Sequence, residues 1–452
     1  MESPWLRFKF SNAFLKDIVI LPFIICNKKF YILLNKTSGS WVVVNKKEIS
    51  EFKNDKLPYT KIEFLFKRKI ISKIDGDEVE YEFDKPQEFP NSIIMNVTTA
   101  CNLKCEYCFA DSGPEKKEYM TRKTAKKVVQ ELIKSPYSIL SIDFQGGEPL
   151  LNKELIKFTV NYAKRICPRG KKFNFKIETN GTLIDDEIAE FIKKNNISVG
   201  VSIDGPKELH DKARKYPDGS GSFKDVWRGI KILKKHGIDL SNMGSVVVIG
   251  KHNVKYPDKI VKFFSKNKIS FKPLPVNPLS RAKENKNIQI SSEDWYRFFK
   301  KSYHLSKKLA AKNYLIHIYE ENTLTPIRDY ICLRSPCGMA HEIVSINPDG
   351  SVFPCNGFKS CKNFILGNIL KKSLNEIIKS KKYKIIADRD FTKIPACKNC
   401  IFHSMCGPCA YASYGYFGSI FREDPMCFAR KKIFQFIIKK WIESENEKGS
   451  LL

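Results

Sequence analysis

The sequence lacks an apolar segment long enough to cross a membrane as a helix. Such a helix needs about 18 or more consecutive apolar residues, and the nearest stretch here is the much shorter IVILPFIIC, Ile18 to Cys26. No basic residues crowd the start of that stretch and no small-residue cleavage site follows it, so it is not typical of a secretory signal. We therefore expect a cytoplasmic protein that has no membrane partner.

Acidic residues are scarce relative to basic ones. The chain has 49 Asp and Glu against 79 Lys and Arg, which gives a net charge of +30. An excess of this size is compatible with nucleic-acid binding, but the sequence also lacks blocks of like charge and an interleaving of basic with aromatic residues. We interpret most lysines as solvated helix residues and do not favour nucleic acid as a partner. A zinc-stabilised nucleic-acid-binding protein is the alternative from another functional class.

The order of apolar patterns divides the 452 residues into three parts. Residues 1–90 contain short strands and a helix, Tyr59–Ser72, which suggests a small winged-helix-like α+β module. Residues 91–290 alternate strands with helices, and residues 291–452 form a helical bridge, a cysteine-rich region with little core of its own and a last helix over 428–442. We predict a hairpin at Lys73–Phe83, a linker at Asp84–Pro90 and a turn at Pro348–Gly350.

Six βα units in the central part predict an α/β fold, a partial (β/α)6 TIM-like barrel with helices outside a parallel sheet. The predicted strands are Ser92–Val97, Ile139–Phe144, Phe173–Glu178, Ile197–Ile203, Ser245–Ile249 and Ile269–Lys272. The predicted helices are Thr121–Lys134, Lys153–Arg165, Asp185–Lys194, Asp225–Lys235 and Pro257–Lys266. In such folds the chemistry lies in the loops that follow the strands.

Cysteine is the strongest compositional signal. Of the 14 cysteines, all but Cys26 and Cys167 fall at 101–108 or 332–427, and such clustering in a cytosolic chain favours metal binding over disulfides. Cys101, Cys105 and Cys108 follow the first predicted strand with Cys-x3-Cys-x2-Cys spacing. A closed iron–sulfur cluster takes four thiolates, so three would leave one iron open to another ligand. A structural zinc site would need a fourth ligand nearby.

This motif, with the aromatic Tyr107 before its last cysteine, resembles the signature of the radical S-adenosylmethionine (SAM) superfamily. The resemblance implies a [4Fe-4S] cluster on the three cysteines and a SAM molecule chelated to its open iron. Reduction of the cluster would cleave SAM to a 5′-deoxyadenosyl radical, which would abstract a hydrogen atom from the substrate.

Three further loops resemble the same superfamily. The sequence GGEP after the second strand matches the segment that meets the methionyl amino group of SAM, and its carboxylate suits an ammonium group. The resemblance implies cofactor contacts by the residues at all three strand ends: Gly146, Gly147, Glu148, Asn180, Ser202 and Arg214. An arginine is suited to the methionyl carboxylate because its guanidinium can bind both oxygens.

The C-terminal cysteines resemble the SPASM extension, which holds two auxiliary [4Fe-4S] clusters. By position, the nearer cluster would use Cys332, Cys337, Cys355 and Cys409, and the farther cluster would use Cys397, Cys400, Cys406 and Cys427. The two-residue gap between Cys406 and Cys409 is one residue shorter than usual. The total would be three clusters. A zinc ribbon over Cys397–Cys409 is the alternative for this segment.

SPASM relatives act on ribosomal peptides or proteins, and two branches compete. Anaerobic sulfatase maturases make formylglycine and carry a catalytic Asp directly after the cysteine matched by Cys355; here that residue is Asn356. The other branch installs thioether or similar cross-links in precursor peptides. Enzymes of this branch carry an N-terminal module that can hold the leader peptide by strand addition. Residues 1–80 loosely resemble that module. We therefore expect a precursor peptide with its leader, and reduced flavodoxin or ferredoxin, as partners.

Overall fold

The computed structural model describes residues 18–25, 28–36, 38–54, 56–71, 73–74, 77–78, 89–242, 244–324 and 338–447. Cys26, Cys332 and Cys337, as well as most of the predicted linker and much of the predicted hairpin, lie outside these residues. Two short strands in the region of that hairpin, β4 (Lys73–Ile74) and β5 (Asp77–Glu78), pair in antiparallel fashion. No described helix is long and apolar enough to span a membrane.

The N-terminal module is a three-stranded antiparallel sheet with helices on one face. Its elements are β1 (Ile18–Ile25), β2 (Lys28–Asn35), β3 (Trp41–Asn45), α1 (Lys46–Lys53) and α2 (Tyr59–Lys67). The sequence prediction missed α1, which begins at a capping box in which Asn45 and Glu48 bind each other's backbone amides. It also extended α2 too far, since the chain leaves the helix at Arg68 and Lys69 takes a left-handed φ of 54°.

The two faces of this sheet are buried against different partners. Leu33 packs with the module's own helices, whereas Phe30, Ile32 and Leu34 belong to the main core of the protein. Trp41 also lies in that core, where its Nε1 donates a 2.7 Å hydrogen bond to the carbonyl oxygen of Thr323. Its ring meets Trp441 edge to face, with 5.1 Å between ring centroids. The module is therefore packed against the C-terminal part of the chain.

The central part forms the predicted parallel sheet. Its strands are β6 (Ser92–Asn96), β7 (Ile139–Gln145), β8 (Lys172–Thr179), β9 (Ser198–Ser202), β10 (Ser245–Ile249) and β11 (Phe271–Pro275). The helices between them are α3 (Arg122–Leu132), α4 (Lys153–Ile166), α5 (Asp186–Asn195), α6 (Lys207–His210), α7 (Phe223–Lys235) and α8 (Pro257–Lys266), and the short α9 (Arg281–Glu284) follows β11. The α/β barrel prediction is confirmed. The last strand starts two residues later than predicted because the amide of Ile269 still bonds to the helical carbonyl of Phe264.

The C-terminal part continues the same sheet. Its elements are α10 (Ser292–Lys308), α11 (Tyr314–Leu324), β12 (Ile343–Ile346), β13 (Ser351–Phe353), β14 (Gly367–Asn368), α12 (Leu374–Ile378), α13 (Lys381–Ala387), α14 (Pro395–Lys398), α15 (Ala410–Phe417) and α16 (Cys427–Glu447). Short 3-10 helices occur at Pro149–Asn152, Lys286–Ile288, Asn356–Phe358, Lys362–Phe364, Phe391–Lys393 and His403–Met405. The sheet order is β11-β10-β9-β8-β7-β6-β12-β13-β14, so β12 occupies the edge of β6 at which a closed barrel would place β11.

The pairing of β12 with β6 corrects one expectation, and the hairpin between β12 and β13 confirms another. The cysteine-rich region does have a core, because β12 pairs in parallel with β6 and buries Val344 and Ile346 in the main cluster. The hairpin predicted at Pro348–Gly350 is present between β12 and β13, and Gly350 supplies its left-handed φ of 84°. A loop of the C-terminal part is thereby placed beside the strand that precedes the first three cysteines.

Candidate functional site

A cavity of about 230 Å³ lies at the carboxyl ends of the parallel strands. The loop after β6 supplies one wall with Cys101, Cys105, Tyr107 and Cys108. The other predicted site residues that line the cavity come from the loops after β7, β8 and β9: Gly146, Gly147, Asn180, Ser202 and Arg214. Of the predicted residues of the central part, only Glu148 is not on the cavity wall.

The two glycines after β7 hold the cysteine loop by direct backbone contact. The amide of Gly147 donates to the carbonyl oxygen of Thr98 at 2.9 Å, and the amide of Glu148 donates to that of Ala100 at 2.8 Å. A Cβ on Gly147 would stand 2.1 Å from the Ala100 oxygen, and one on Gly146 would stand 2.3 Å from the Thr98 oxygen. Side chains are therefore excluded at both positions, and Gly146 also has a φ of 147°.

Glu148 is fully buried and its carboxylate binds groups of the protein itself. One oxygen accepts from the Thr179 hydroxyl at 2.7 Å and from the Leu150 amide at 3.0 Å, and the other accepts from the Asn180 amide at 2.7 Å. Burial raises its pKa to about 7, although these donors oppose the shift. The structure shows this carboxylate fixing the loop after β8, and its contact with the ammonium group of SAM stays a prediction.

Asn180 in turn contacts the cysteine loop. Its Nδ2 donates to Oδ1 of Asn102 at 2.8 Å and lies 3.9 Å from Sγ of Cys101. Its own Oδ1 accepts from the amide of Thr182 at 3.0 Å, which fixes the orientation of the side chain. Glu148, Asn180 and Asn102 thus form a continuous polar connection between three of the loops.

Arg214 and Tyr107 share one buried carboxylate that the sequence analysis did not identify. Asp204 has no exposed surface, forms an ion pair with Nε of Arg214 at 3.1 Å, and accepts a hydrogen bond from the Tyr107 hydroxyl. Burial alone would raise the pKa of Asp204, but Arg214 and the neighbouring histidines hold it below its usual value. The Arg214 guanidinium also lies over the Tyr107 ring, 5.3 Å from its centroid. An anion in the cavity would therefore meet an oriented guanidinium.

Two residues of the loop that follows Cys355 reach this site: Asn356, which was already singled out from the sequence, and Lys359, which was not. Lys359 lines the cavity, and its Nζ donates to the carbonyl oxygen of Gly146 at 2.7 Å. Asn356 lies behind the wall, where its Nδ2 donates to Oε1 of Gln145 at 2.6 Å and its Oδ1 accepts from Ser345. Only the pairing of β12 with β6 brings them here, and no local sequence pattern indicates it.

The cysteines near the C-terminus form a second centre. The charges of Cys406, Cys427 and Cys400 act on Cys397, whose pKa is raised to about 12, mainly by burial. These are the four cysteines predicted for the farther cluster. The thiols of Cys409 and Cys355 both act on the buried Tyr411, which lines the cavity from the other side. The described cysteines are all free of disulfides.

Buried arginines and an aspartate stabilise this second centre. Arg430 has Nη1 3.9 Å from Sγ of Cys406 and pairs through Nη2 with Asp424 at 3.0 Å. Asp424 also accepts from the amide of Cys409 at 3.0 Å. Arg389 donates to the carbonyl oxygen of Pro408 at 2.9 Å. No local sequence pattern predicts the contacts with Cys406, Cys409 and Pro408, because each joins segments that are well separated in the chain.

Comparison with known proteins identifies the chain. Residues 95–264 match the Radical SAM superfamily, and residues 337–401 match SPASM, an iron–sulfur cluster-binding domain. A serine-type anaerobic sulfatase-maturating enzyme of Bacteroides thetaiotaomicron is 30% identical over 70% of this chain and 81% of its own length. The chain belongs to the radical SAM superfamily. It is an enzyme that uses SAM and iron–sulfur chemistry, as the sequence motifs predicted.

Further relatives of this radical SAM enzyme share most of its length. A cysteine-type anaerobic sulfatase-maturating enzyme of Clostridium novyi is 28% identical over 77% of this chain and 95% of the relative. The solved structure of anSMEcpe with bound AdoMet and Cp18Cys peptide matches with a TM-score of 0.67 and 24% identity, covering 79% of this chain and 99% of the other. The solved structure of Streptococcus suis SuiB bound to precursor peptide SuiA matches with a TM-score of 0.59 and 17% identity, covering 90% of this chain and 98% of the other. These structures share its fold.

The site fits the cluster that the superfamily requires. No three His, Cys, Asp or Glu side chains of the described residues converge on a single metal ion, whereas a four-iron cluster takes its thiolates separately. Burial raises the pKa of the Cys101 and Cys105 thiols above their usual value, in the latter case to about 12. A thiol with a raised pKa stays protonated when it is free, so each would have to release its proton on binding iron as a thiolate. The cavity beside the three cysteines leaves space for a small ligand.

Proposed function

We propose that this radical SAM enzyme modifies a ribosomally made precursor peptide and forms a thioether or similar cross-link. The observation that carries the proposal is the composition of the cavity, in which the three cysteines face a loop of the SPASM region that presents no carboxylate. In that loop, Asn356 directly follows Cys355, is buried, and has its amide engaged by Gln145 and Ser345. A neutral amide cannot accept a proton at neutral pH.

The cofactors would supply the radical chemistry: a hydrogen atom would be taken from a substrate carbon, the substrate thiol would lose its proton to solvent as its sulfur bonds to that carbon, and the one electron left over would pass to an auxiliary cluster, which balances the one electron spent on SAM. The protein must hold both ligands and exclude water. Cys101, Cys105 and Cys108 would hold the cluster. Arg214 is oriented by Asp204 to meet an anionic group such as the methionyl carboxylate, with Ser202 beside it on the cavity wall.

Two auxiliary clusters in the SPASM region complete the proposal. Cys397, Cys400, Cys406 and Cys427 would hold the farther one, and Arg430 near Cys406 would offset its negative charge. Cys355 and Cys409 would share the nearer one with Cys332 and Cys337. If Cys332 does ligate, the nearer cluster has four protein ligands and no iron free for substrate. Reduced flavodoxin or ferredoxin would supply the electron.

The N-terminal module offers a groove that suits a leader peptide. Within the described residues, β3 pairs on one side only, with β2. A cavity of about 210 Å³ lies beside it, lined by Val42, Val44, Leu57 and Phe64 among others. An extended peptide could add to this edge and place apolar side chains in the groove. The fold comparison supports this reading, because SuiB covers 90% of the chain while anSMEcpe covers 79%.

Co-expression with each short reading frame that neighbours the gene tests the proposal. A true substrate loses about 2 Da for each cross-link formed, by the hydrogen balance given above, and its matching cysteine no longer reacts with iodoacetamide. The precursor peptide with its leader should be modified, and its core segment without the leader should be modified poorly. Absence of any change in every neighbouring peptide, with the enzyme fully loaded with iron and cleaving SAM, would contradict the proposal.

Formylglycine formation is the second candidate, favoured by the maturase relatives. It would show as an aldehyde on a cysteine-containing sulfatase peptide. The zinc-stabilised nucleic-acid binder is not favoured, since the cysteines do not converge on one ion in the described residues. An anaerobically purified protein should be brown and contain roughly twelve irons by the three-cluster proposal.

A further inference from the structure

Lys359 is a buried cation without a carboxylate partner among the described residues; the acidic groups whose charge acts on it are the thiols of Cys108 and Cys101. Its side chain is 9% exposed and lines the cavity. Its Nζ donates to the carbonyl oxygen of Gly146 at 2.7 Å and to Oδ1 of Asn96 at 3.3 Å, and it lies 5.3 Å from the centroid of the Phe109 ring. These acceptors are all neutral. Because an ammonium has three N–H donors, one is left without a described acceptor.

The contrast with Arg214 shows that this arrangement is unusual for the site. Among the described residues that line the cavity, only Arg214 and Lys359 are positively charged, and Arg214 is paired with Asp204 at 3.1 Å. Buried charges are normally paired, because removing an ion from water costs several kcal/mol that neutral acceptors only partly recover. Lys359 has no carboxylate to pair with, and its remaining N–H donor is available on the cavity wall for a negatively charged group that a ligand brings.

The position of Lys359 in the chain points to the substrate rather than to the cofactor. It lies in the loop that follows Cys355, three residues beyond Asn356, and the pairing of β12 with β6 carries this loop to the barrel. Asn356 is turned away toward Gln145, whereas Lys359 reaches the cavity. Where the maturase branch places an acid, this chain thus presents a cation.

We propose that Lys359 binds the thiolate of the substrate cysteine. This inference rests on the proposed function and names the reactive group that the cavity receives. A nearby cation stabilises a thiolate relative to the thiol and so lowers the pKa of the bound cysteine. The third N–H donor of Lys359 supplies the hydrogen bond, and the contacts with Gly146 and Asn96 keep the ammonium group in place. Lys359 is a positioning residue for the nucleophile.

A small thiol peptide tests the site without knowledge of the natural precursor. The probes are N-acetyl-Ala-Cys-Ala-amide, its serine analogue, and its S-methylcysteine analogue, which cannot ionise. Each is titrated calorimetrically and anaerobically into the SAM-loaded holoenzyme at pH 6.5 and pH 7.5. The wild type should prefer the cysteine peptide over both analogues, and the preference should grow with pH because more thiolate is present at the higher value.

Lys359→Met should weaken binding of the cysteine peptide by at least about tenfold, as expected for loss of one partner of a desolvated charge pair. The preference of Lys359→Met for the cysteine peptide should also no longer depend on pH. Lys359→Arg should retain part of the affinity for the cysteine peptide and part of the pH dependence. Lys362→Met, at an exposed lysine of the same loop, is the matched control and should behave as wild type. Iron content and the thermal unfolding transition show whether each variant is folded and loaded.

The results separate this inference from the proposed function. A wild type without thiol preference, or a folded Lys359→Met that keeps it, overturns the role of Lys359 even if precursor peptides are cross-linked. A Lys359→Met protein that loses all three probes equally also overturns it, since thiolate recognition would not explain that loss. The enzyme could also show a thiol preference that depends on Lys359 while modifying no neighbouring peptide. That result would support the thiolate site and contradict the cross-linking reaction.

Discussion

The amide nitrogen of Gly147 lies 2.9 Å from the carbonyl oxygen of Thr98, and this hydrogen bond joins the loop after β7 to the start of the cysteine loop. The two backbones approach so closely that no side chain fits between them. The conformation of the three-cysteine loop is therefore set by its neighbour, and not by the cysteines alone.

Gly147→Ala should disrupt the first cluster site. Its new Cβ would meet the Ala100 oxygen at 2.1 Å, and overpacking of this kind typically costs about 1–3 kcal/mol. We expect loss of iron from the first site and at least a tenfold fall in 5′-deoxyadenosine formation, by the usual conversion of about 1.4 kcal/mol per decade. Gly170→Ala is the control, because nothing lies within 4 Å of its Cβ, although its φ of 84° is left-handed and that of Gly147 is not. Similar iron contents in both variants would contradict this account.

Alanine at Cys101, Cys105 or Cys108 should abolish reductive cleavage of SAM. Each substitution would remove one of the three proposed cluster ligands, and no other cysteine of the described residues lines the cavity and could replace it. The measurement is 5′-deoxyadenosine formed with dithionite as reductant. Wild-type yield in any one of the three variants would refute the placement of the cluster.

Cys397→Ala should separate the two reactions. Cys397 belongs to the second centre with Cys400, Cys406 and Cys427 and is not on the cavity wall. We expect the variant to lose iron and peptide modification while retaining some SAM cleavage. Equal loss of both activities, in a folded protein whose first cluster is fully loaded, would show that the two centres do not have separate roles.

A cysteine-containing sulfatase peptide should give little or no aldehyde with this enzyme, as detected by labelling with a hydrazide. Asn356→Asp should not restore the reaction, because the side chain at this position faces Gln145 and Ser345 behind the cavity wall. Asn356→Asp thus tests whether an acidic side chain at this position is sufficient for the reaction, or whether the side chain must also face the cavity. Efficient aldehyde formation by the wild type, with no precursor peptide changed, would favour the maturase activity instead.

The parts predicted best from sequence are those in which function requires adjacent residues. The spacing of Cys101, Cys105 and Cys108 identifies the superfamily, and the alternation of strands and helices places their loop at the correct sheet edge. A motif does not reveal whether the hydrogen-bond donors to a carboxylate such as that of Glu148 belong to a ligand or to the protein, so the predicted contact of Glu148 with an ammonium group stays a prediction. Its three donors lie in the chain itself.

Asp204 and Lys359 could not be predicted for a different reason. Asp204 is a turn residue in the motif SIDGP, and its function depends on Arg214 and Tyr107 reaching it from two other loops. Lys359 is one lysine among many in a lysine-rich chain, and only the parallel pairing of β12 with β6 places it in the cavity. Contacts that depend on tertiary pairing carry no local pattern.

The contact between Trp41 and Trp441 has a consequence for synthesis of the chain. The two rings, 5.1 Å apart, are separated by almost the whole sequence, and a ribosome adding about 5–20 residues per second needs roughly 20–80 s to pass from one to the other. During that interval the sheet face formed by Phe30, Ile32 and Trp41 has been translated while the helix that covers it has not. The nascent module must therefore be kept from aggregating for tens of seconds, and demand for chaperones during translation should be relieved only as the last helix leaves the ribosome.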